Sequence, residues 1–77
     1  MGKLPRDLSG REVVGALVRL GFVVSRQRGS HIILHRLPPG TPARVVVPDH
    51  ETTRPGTLKA VLREAGVSVE ALLGALE

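Results

Sequence analysis

The sequence predicts an α+β fold in which a three-stranded antiparallel sheet carries helices on one face. Two segments with apolar residues at helical spacing flank three short runs rich in β-branched residues, and a short third helical segment follows. Helices placed before and after a group of strands, rather than between them, are typical of such a sheet. The 77 residues suffice for one hydrophobic core, so we expect residues 1–77 to form a single domain.

The first helix is predicted from about Gly10 to Leu20. Ser9 and Glu12 have the spacing of a capping box, in which each side chain binds the backbone amide of the other residue. Apolar residues then recur at helical spacing: Val13, Val14, Leu17, Val18 and Leu20. Gly21 follows them, at the position where a glycine in the left-handed conformation commonly ends a helix.

Three strands are expected after this helix, over residues 22–26, 31–35 and 43–47. The first two are short and β-branched, and the turn between them contains Gly29, so they are predicted to form a hairpin. A proline-rich loop over residues 37–42 breaks the chain before the third strand, which Pro48 ends.

The register of the hairpin stays open at this point. If Arg28 and Gly29 form a two-residue turn, Arg26 pairs with His31 across the strands. A bulge in either strand would change this pairing. The sequence therefore does not decide whether Arg26 or another residue pairs with His31.

A second helix begins between Arg54 and Thr57, with Pro55 suited to its first turn and Gly66 to its end. Its apolar stripe consists of Leu58, Val61, Leu62 and Ala65. A short third helix is predicted from Ser68, with an apolar face formed by Val69, Leu72, Leu73 and Leu76. Because all the helices are expected on one side of the sheet, its other face is free to bind a partner.

Charge and composition narrow the classes of function. Lys and Arg number 11 against 7 Asp and Glu, for a net charge of +4, which favours a polyanionic partner. Phe22 is the only aromatic residue, so a nucleic-acid platform of stacked aromatic rings is excluded. The chain contains no cysteine, which excludes a thiol nucleophile and thiolate metal sites. Without a signal sequence or a long apolar run, a cytoplasmic location is expected.

Three segments together resemble the HicA family of messenger-RNA interferase toxins, also called the YcfA-like family. They cover nearly the whole chain in the right order: LSGREVVGALVRLGF, RQRGSHIIL and VVVPDHETTRPGTLKAVLREAGVS. The motifs that carry most of the resemblance are Gly29-Ser30-His31, Pro48-x-His50 and Gly56-Thr57-Leu58.

This resemblance implies a fold like that of the double-stranded-RNA-binding domain, with the α-β-β-β-α order predicted above; the short C-terminal helix predicted from the sequence follows it. It also implies the toxin of a type II toxin–antitoxin system, an endoribonuclease that cleaves messenger RNA and is neutralised by a HicB-like antitoxin protein. The catalytic histidine of the family lies in the Gly-Ser-His motif, here His31. No cofactor and no metal are implied.

His31 also has the chemistry for this role. RNA is cut without metal when a base removes the proton of a ribose 2′-hydroxyl and an acid protonates the leaving oxygen, and histidine suits both tasks because its pKa lies near neutrality. Arg26 and Arg28 are close in sequence and are expected to hold the phosphate. Ser30 is a further candidate, whose hydroxyl would orient His31 or a phosphate.

The remaining candidates have weaker support. His50 matches the family pattern and is a second candidate catalytic residue, although the sequence does not place it in space. Lys59 and Arg63 lie one turn apart on the second helix and are expected to contact the RNA backbone. His35 is roughly 13 Å from His31 along the strand, too far to act on the same phosphate. Two other functions stay open: an RNA-binding module that does not cut, and a protein that only binds its antitoxin.

Overall fold

The computed structural model describes residues 7–76, so the first six residues and Glu77 of the predicted domain lie outside the described part. The described chain has the predicted α+β architecture. Its elements are α1 (Gly10–Arg19), β1 (Phe22–Arg28), β2 (His31–Arg36), β3 (Ala43–Pro48), α2 (Pro55–Ala65) and α3 (Val69–Ala75). Each strand is one or two residues longer than predicted, because the cross-strand pairing continues to both ends of the sheet.

The sheet is antiparallel with the strand order β1-β2-β3; α1 and α2 pack on one of its faces, and α3 packs against α1. Alternate strand residues point to the helices and form the core with them. The largest fully buried side chains are Phe22, Leu17, Leu34, Leu58, Leu72, Val13, Val45 and Val47. The core is thus almost wholly aliphatic, as the composition requires.

The helix ends follow the predicted capping. The Ser9 hydroxyl accepts a hydrogen bond from the Glu12 amide at 3.1 Å, and the Glu12 carboxylate accepts one from the Ser9 amide at 3.0 Å. Gly21 ends the first helical segment with a φ of 102°, and Gly66 ends α2 with a φ of 67°. Both values lie in the region that glycine adopts without steric cost.

Replacing Ser9 by alanine is expected to lower the free energy of unfolding by about 1 kcal/mol, because the amide of Glu12 loses its partner. Denaturant unfolding followed by circular dichroism measures this change. Ser30→Ala is the matched control, since Ser30 is exposed in a turn and its replacement should change stability by less than about 0.5 kcal/mol. Equal stability of the two variants would show that the cap contributes nothing.

The hairpin register differs from the arrangement that places Arg26 across from His31. The two turn residues are Gly29 and Ser30, so Arg28 is the residue that pairs with His31. Gly29 has a φ of 58°, and a positive φ at the first turn position is what a type II′ turn requires. That pairing of Arg26 is therefore wrong; Arg26 lies opposite Ile33.

A β-bulge between Val24 and Arg26 determines which way the arginines of β1 point. Strict alternation from the buried Phe22 would direct residues 26 and 28 toward the helices. The extra residue of the bulge reverses that alternation, so Arg26 and Arg28 share a face with His31. The bulge thus moves two positive charges from the core side to the side without helices.

Candidate functional site

The open face of the sheet, which we define as the side without helices, carries a concentration of basic side chains. The strand register places three rows of three residues across it: Arg28, His31 and Pro48; Arg26, Ile33 and Val46; and Val23, His35 and Arg44. None of these residues is acidic. The open face therefore has the electrostatic character of an anion-binding surface.

A groove of about 370 Å³ occupies the centre of the open face, and we call it the face groove. The residues that line it are Arg26, Arg28, His31, Ile33, Arg44 and Val46. Three arginines thus line the same groove as the exposed His31, with no carboxylate among the lining residues. Guanidinium groups bind phosphate through paired, charge-assisted hydrogen bonds, so the groove suits a phosphodiester.

Ile33 forms the floor of this groove. It is only 5% exposed although it lies on the side away from the helices. Its cross-strand neighbours are Arg26 and Val46, one on each side. Long basic side chains can lay their aliphatic stems on apolar surface, and Ile33 is the apolar residue directly opposite Arg26.

The end of the hairpin that carries His31 is tied to the rest of the fold by Asp49. The Asp49 amide donates to the Ser30 carbonyl at 2.6 Å. Its carboxylate accepts hydrogen bonds from Gln27 at 3.2 Å and from Arg11 at 3.1 Å. These contacts join β1, the turn and α1 to the residue that follows β3, which fixes the turn just before His31.

A second groove, the edge groove, runs between β3 and α2. Its lining residues are His31, Arg44, Val46, Pro48, Thr57, Ala60, Val61 and Glu64. His31 and Arg44 therefore face both grooves. Glu64 lies near the C-terminal end of α2, where it lines a pocket together with Ala43. Its carboxylate is therefore at the Arg44 end of the edge groove and not at the His31 end.

His50 lies near this site but in a different pocket. It lines a cavity at the start of α2 together with Thr52, Thr53 and Arg54. That cavity shares Pro48 and Thr57 with the edge groove, but His50 is not among the residues that line either groove with His31. The carbonyl of His50 accepts a hydrogen bond from the Gly10 amide at 2.8 Å, so its backbone has a structural role.

The other predicted contact residues are spread over the surface. Ser30 is exposed in the turn beside His31. Lys59 is exposed on α2, and Arg63 lines a pocket at the far end of α2 with Arg36 and Thr41. Neither Lys59 nor Arg63 is among the residues of the face groove. The structure thus brings together His31, Arg26 and Arg28 but leaves the basic residues of α2 apart from them.

Arg44 lines the face groove but is not among the site residues predicted from the sequence. The signal for it was present, because Arg44 and Val46 alternate with the buried Val45 and Val47 along β3. Alternation of this kind places Arg44 on the face opposite the core. Only the pairing of β3 with β2 shows that this is also the face of His31.

Two further observations concern the part of the chain that the structure describes. Between residues 7 and 76, no three His, Asp or Glu side chains are grouped as metal ligands would be. No described helix is long and apolar enough to cross a membrane.

Comparison with known proteins identifies the family. No curated protein sequence gives a significant match. Residues 10–67 match the family described as HicA toxin of bacterial toxin-antitoxin. This match covers more than half of the chain, from the start of α1 to the second residue after α2, and includes both grooves. The chain therefore belongs to the HicA toxin family of bacterial toxin–antitoxin systems.

Proposed function

We propose that this toxin is an endoribonuclease that cleaves messenger RNA, with His31 as a general acid or base. The observation that carries the proposal is the face groove, where an exposed histidine lies among Arg26, Arg28 and Arg44 with no carboxylate in the lining. A phosphodiester in this groove would meet both a proton carrier and the charges that stabilise its transition state.

The reaction follows from the chemistry of RNA. A base removes the proton of a ribose 2′-hydroxyl, and the 2′-oxygen forms a bond to the adjacent phosphorus. The bond from phosphorus to the 5′-oxygen of the next nucleotide breaks, and an acid protonates that oxygen. The products are a 2′,3′-cyclic phosphate and a 5′-hydroxyl, and no step of this scheme requires a metal.

The arginines neutralise the charge that grows on the phosphate during this reaction. Arg28 pairs directly with His31 across the strands, which places its Cα about 5 Å from that of the histidine. Arg26 lies in the next row of the same face. Ser30, one residue before His31, is proposed to help orient the phosphate through its hydroxyl.

The remaining candidates are assigned weaker roles. His50 lines the neighbouring pocket, so we propose it as the second proton-transfer group, which substrate binding would have to bring closer to His31. Lys59 and Arg63 would contact the RNA backbone outside the two grooves, where they add affinity without taking part in cleavage.

A toxin of a toxin–antitoxin system has an antitoxin as its partner. We propose that this partner is a HicB-like protein and that the pair acts in the cytoplasm, where messenger RNA is available. The net charge of +4 favours an acidic binding surface on the antitoxin. Within this proposal residues 1–77 act as one domain.

The test is incubation of the purified protein with a defined messenger RNA in the presence of EDTA, in parallel with His31→Ala. Cleavage by the wild type alone is the expected result. If the wild type binds the RNA but leaves it intact, the protein is instead an RNA-binding module that uses its basic open face only for binding. Cleavage only after addition of Mg²⁺ would contradict the metal-independent chemistry.

A further inference from the structure

The cavity at the start of α2, which we call the α2 cavity, has a volume of about 270 Å³ and lies outside both grooves. Its lining residues are Pro48, His50, Thr52, Thr53, Arg54 and Thr57. Arg54 contributes a positive charge and the three threonines contribute hydroxyl groups, and no carboxylate is among these lining residues. The α2 cavity therefore has the composition of an anion site that is separate from the face groove.

The hydroxyl group of Thr53 is left unsatisfied by the protein. Thr53 is 3% exposed, and its hydroxyl oxygen has no hydrogen-bond partner among residues 7–76. A buried hydroxyl without a partner is unfavourable, because it has given up its hydrogen bonds to water. The residue is nevertheless held in place, since the Thr53 amide donates to the Leu8 carbonyl at 2.6 Å. A ligand in the α2 cavity would supply the missing partner.

Arg36 Nε is the other buried side-chain atom without a partner in the described residues. This case has an explanation within the protein. The same guanidinium group donates to the Ala65 carbonyl at 2.7 Å and lies 4.6 Å from the centroid of the Phe22 ring. The protein therefore stabilises the Arg36 guanidinium by itself. Thr53 has a single hydroxyl group and no such substitute, so its burial points to a ligand.

The first turn of α2 offers further donors to the same cavity. The Gly56 and Thr57 amides belong to this turn, so they have no acceptor within the helix, and helix geometry directs them out of its start. No side chain caps the helix at Arg54, and the first turn contains no acidic residue. A ligand with negatively charged oxygens would satisfy both amides and the Thr53 hydroxyl.

We propose that the α2 cavity is a phosphate-binding site, in which the two helix amides, the Thr53 hydroxyl and the Arg54 guanidinium donate to the phosphate oxygens. A phosphate presents acceptor oxygens in several directions around one centre, which suits donors that come from a helix start, a hydroxyl and a guanidinium. A carboxylate presents two oxygens in one plane and satisfies fewer of these donors. The site goes beyond the proposed function, since it requires neither His31 nor cleavage.

Two sources of phosphate fit this site: the free phosphate ion, and a backbone phosphate of an RNA bound at His31. The α2 cavity shares Pro48 and Thr57 with the edge groove, which His31 also lines. A nucleotide chain that leaves His31 along the edge groove would therefore reach the α2 cavity. The chemistry of recognition is the same for both sources, so two titrations are needed to separate them.

In the first titration, inorganic phosphate is added to the isotope-labelled full-length protein at constant pH and ionic strength, and the Gly56 and Thr57 amide resonances are followed by NMR. We expect saturable shifts in the wild type, with a Kd in the millimolar range. Binding should be about 10-fold weaker in Thr53→Val and in Arg54→Gln, because each variant loses a hydrogen bond to a charged group.

Thr53→Val also separates binding from stability. Valine has nearly the shape of threonine but lacks the unsatisfied hydroxyl. The Tm of this variant in phosphate-free buffer should therefore equal or exceed that of the wild type. Weaker phosphate binding by a variant that is at least as stable cannot result from unfolding.

Thr41→Val and Arg63→Gln are the matched controls. Thr41 is an exposed threonine in the loop before β3, and Arg63 carries the same charge as Arg54 at the opposite end of α2. Each control should change the phosphate affinity by less than about 2-fold. The proposal would be overturned by the absence of saturable shifts at the two helix amides, by wild-type phosphate affinity in Thr53→Val, or by equal losses in the controls.

The second titration identifies the source of the phosphate. The probe is a short RNA methylated at every 2′-oxygen, which prevents cleavage. If the RNA shifts the Gly56 and Thr57 amides and loses affinity in Thr53→Val, the site holds an RNA phosphate. If these amides respond to inorganic phosphate alone, the site binds the free ion. Either response supports the site, and His31→Ala should bind inorganic phosphate like the wild type whether or not the protein cleaves RNA.

Discussion

The His31→Ala variant is expected to cleave RNA at least about 100-fold more slowly than the wild type, which is the lower end of what a positioned acid or base contributes. Its growth-arresting effect should be lost with the cleavage. Because His31 is exposed at the start of β2, its replacement removes a proton carrier without opening a cavity in the core. We therefore expect the thermal stability of the variant to stay close to that of the wild type. Initial rates on a defined messenger RNA measure the effect.

His35→Ala provides the matched control for this prediction. His35 lies on the same strand and the same face, but four residues further along, and does not line the face groove. Its replacement should change the cleavage rate by less than about 3-fold, an effect well below that of a lost acid or base. Equal rates for His31→Ala and the wild type would remove His31 from the mechanism. Equally slow His31→Ala and His35→Ala variants would show that the loss is not specific to His31.

The second large effect is expected from Gly10→Ala, which should lower the free energy of unfolding by about 2 kcal/mol, corresponding to a melting temperature lower by roughly 10 °C. A methyl group on Gly10 would collide with the carbonyl oxygen of Pro48 and come within 3.2 Å of the Asp49 Cα. Both contacts are with backbone, which cannot rotate away. The amide of Gly10 also donates a hydrogen bond to the backbone carbonyl of His50, so the collision would disturb the segment that follows β3.

Gly15→Ala is the natural comparison, because it lies in the same helix and a methyl group there would meet nothing within 4 Å. We expect it to stabilise the protein by about 0.5–1 kcal/mol, since alanine favours the helix. Thermal unfolding of the two variants measures the difference. A Gly10→Ala variant as stable as Gly15→Ala would contradict the close approach of α1 to the end of β3.

The local elements were predictable from the sequence because their signals are local. Ser9 and Glu12 lie three residues apart, and the capping box they form depends on nothing else in the chain. The same holds for Gly21 and Gly66, whose left-handed conformations end the helices. The match of residues 10–67 to the HicA toxin family confirms the resemblance seen in the sequence. The predicted order of helices and strands agrees with the structure.

The composition of the site depends on contacts that are distant in sequence. Whether Arg26 and Arg28 face the core or the open face is decided by one extra residue in β1, and no residue type in that stretch marks a bulge. Arg44 reaches the face groove only through the pairing of β3 with β2. Of the residues that line the face groove, the sequence therefore predicted His31, Arg26 and Arg28 as site candidates, but not Arg44.

The chemical identity of the new RNA ends distinguishes metal-independent acid–base cleavage at His31 from other nuclease reactions. Wild type and His31→Ala are incubated with one defined messenger RNA in EDTA, and both ends of each new fragment are identified. We predict 2′,3′-cyclic phosphate and 5′-hydroxyl ends with the wild type, and intact RNA with His31→Ala. Fragments that carry 3′-hydroxyl and 5′-phosphate ends, or the same fragments from both proteins, would contradict this prediction.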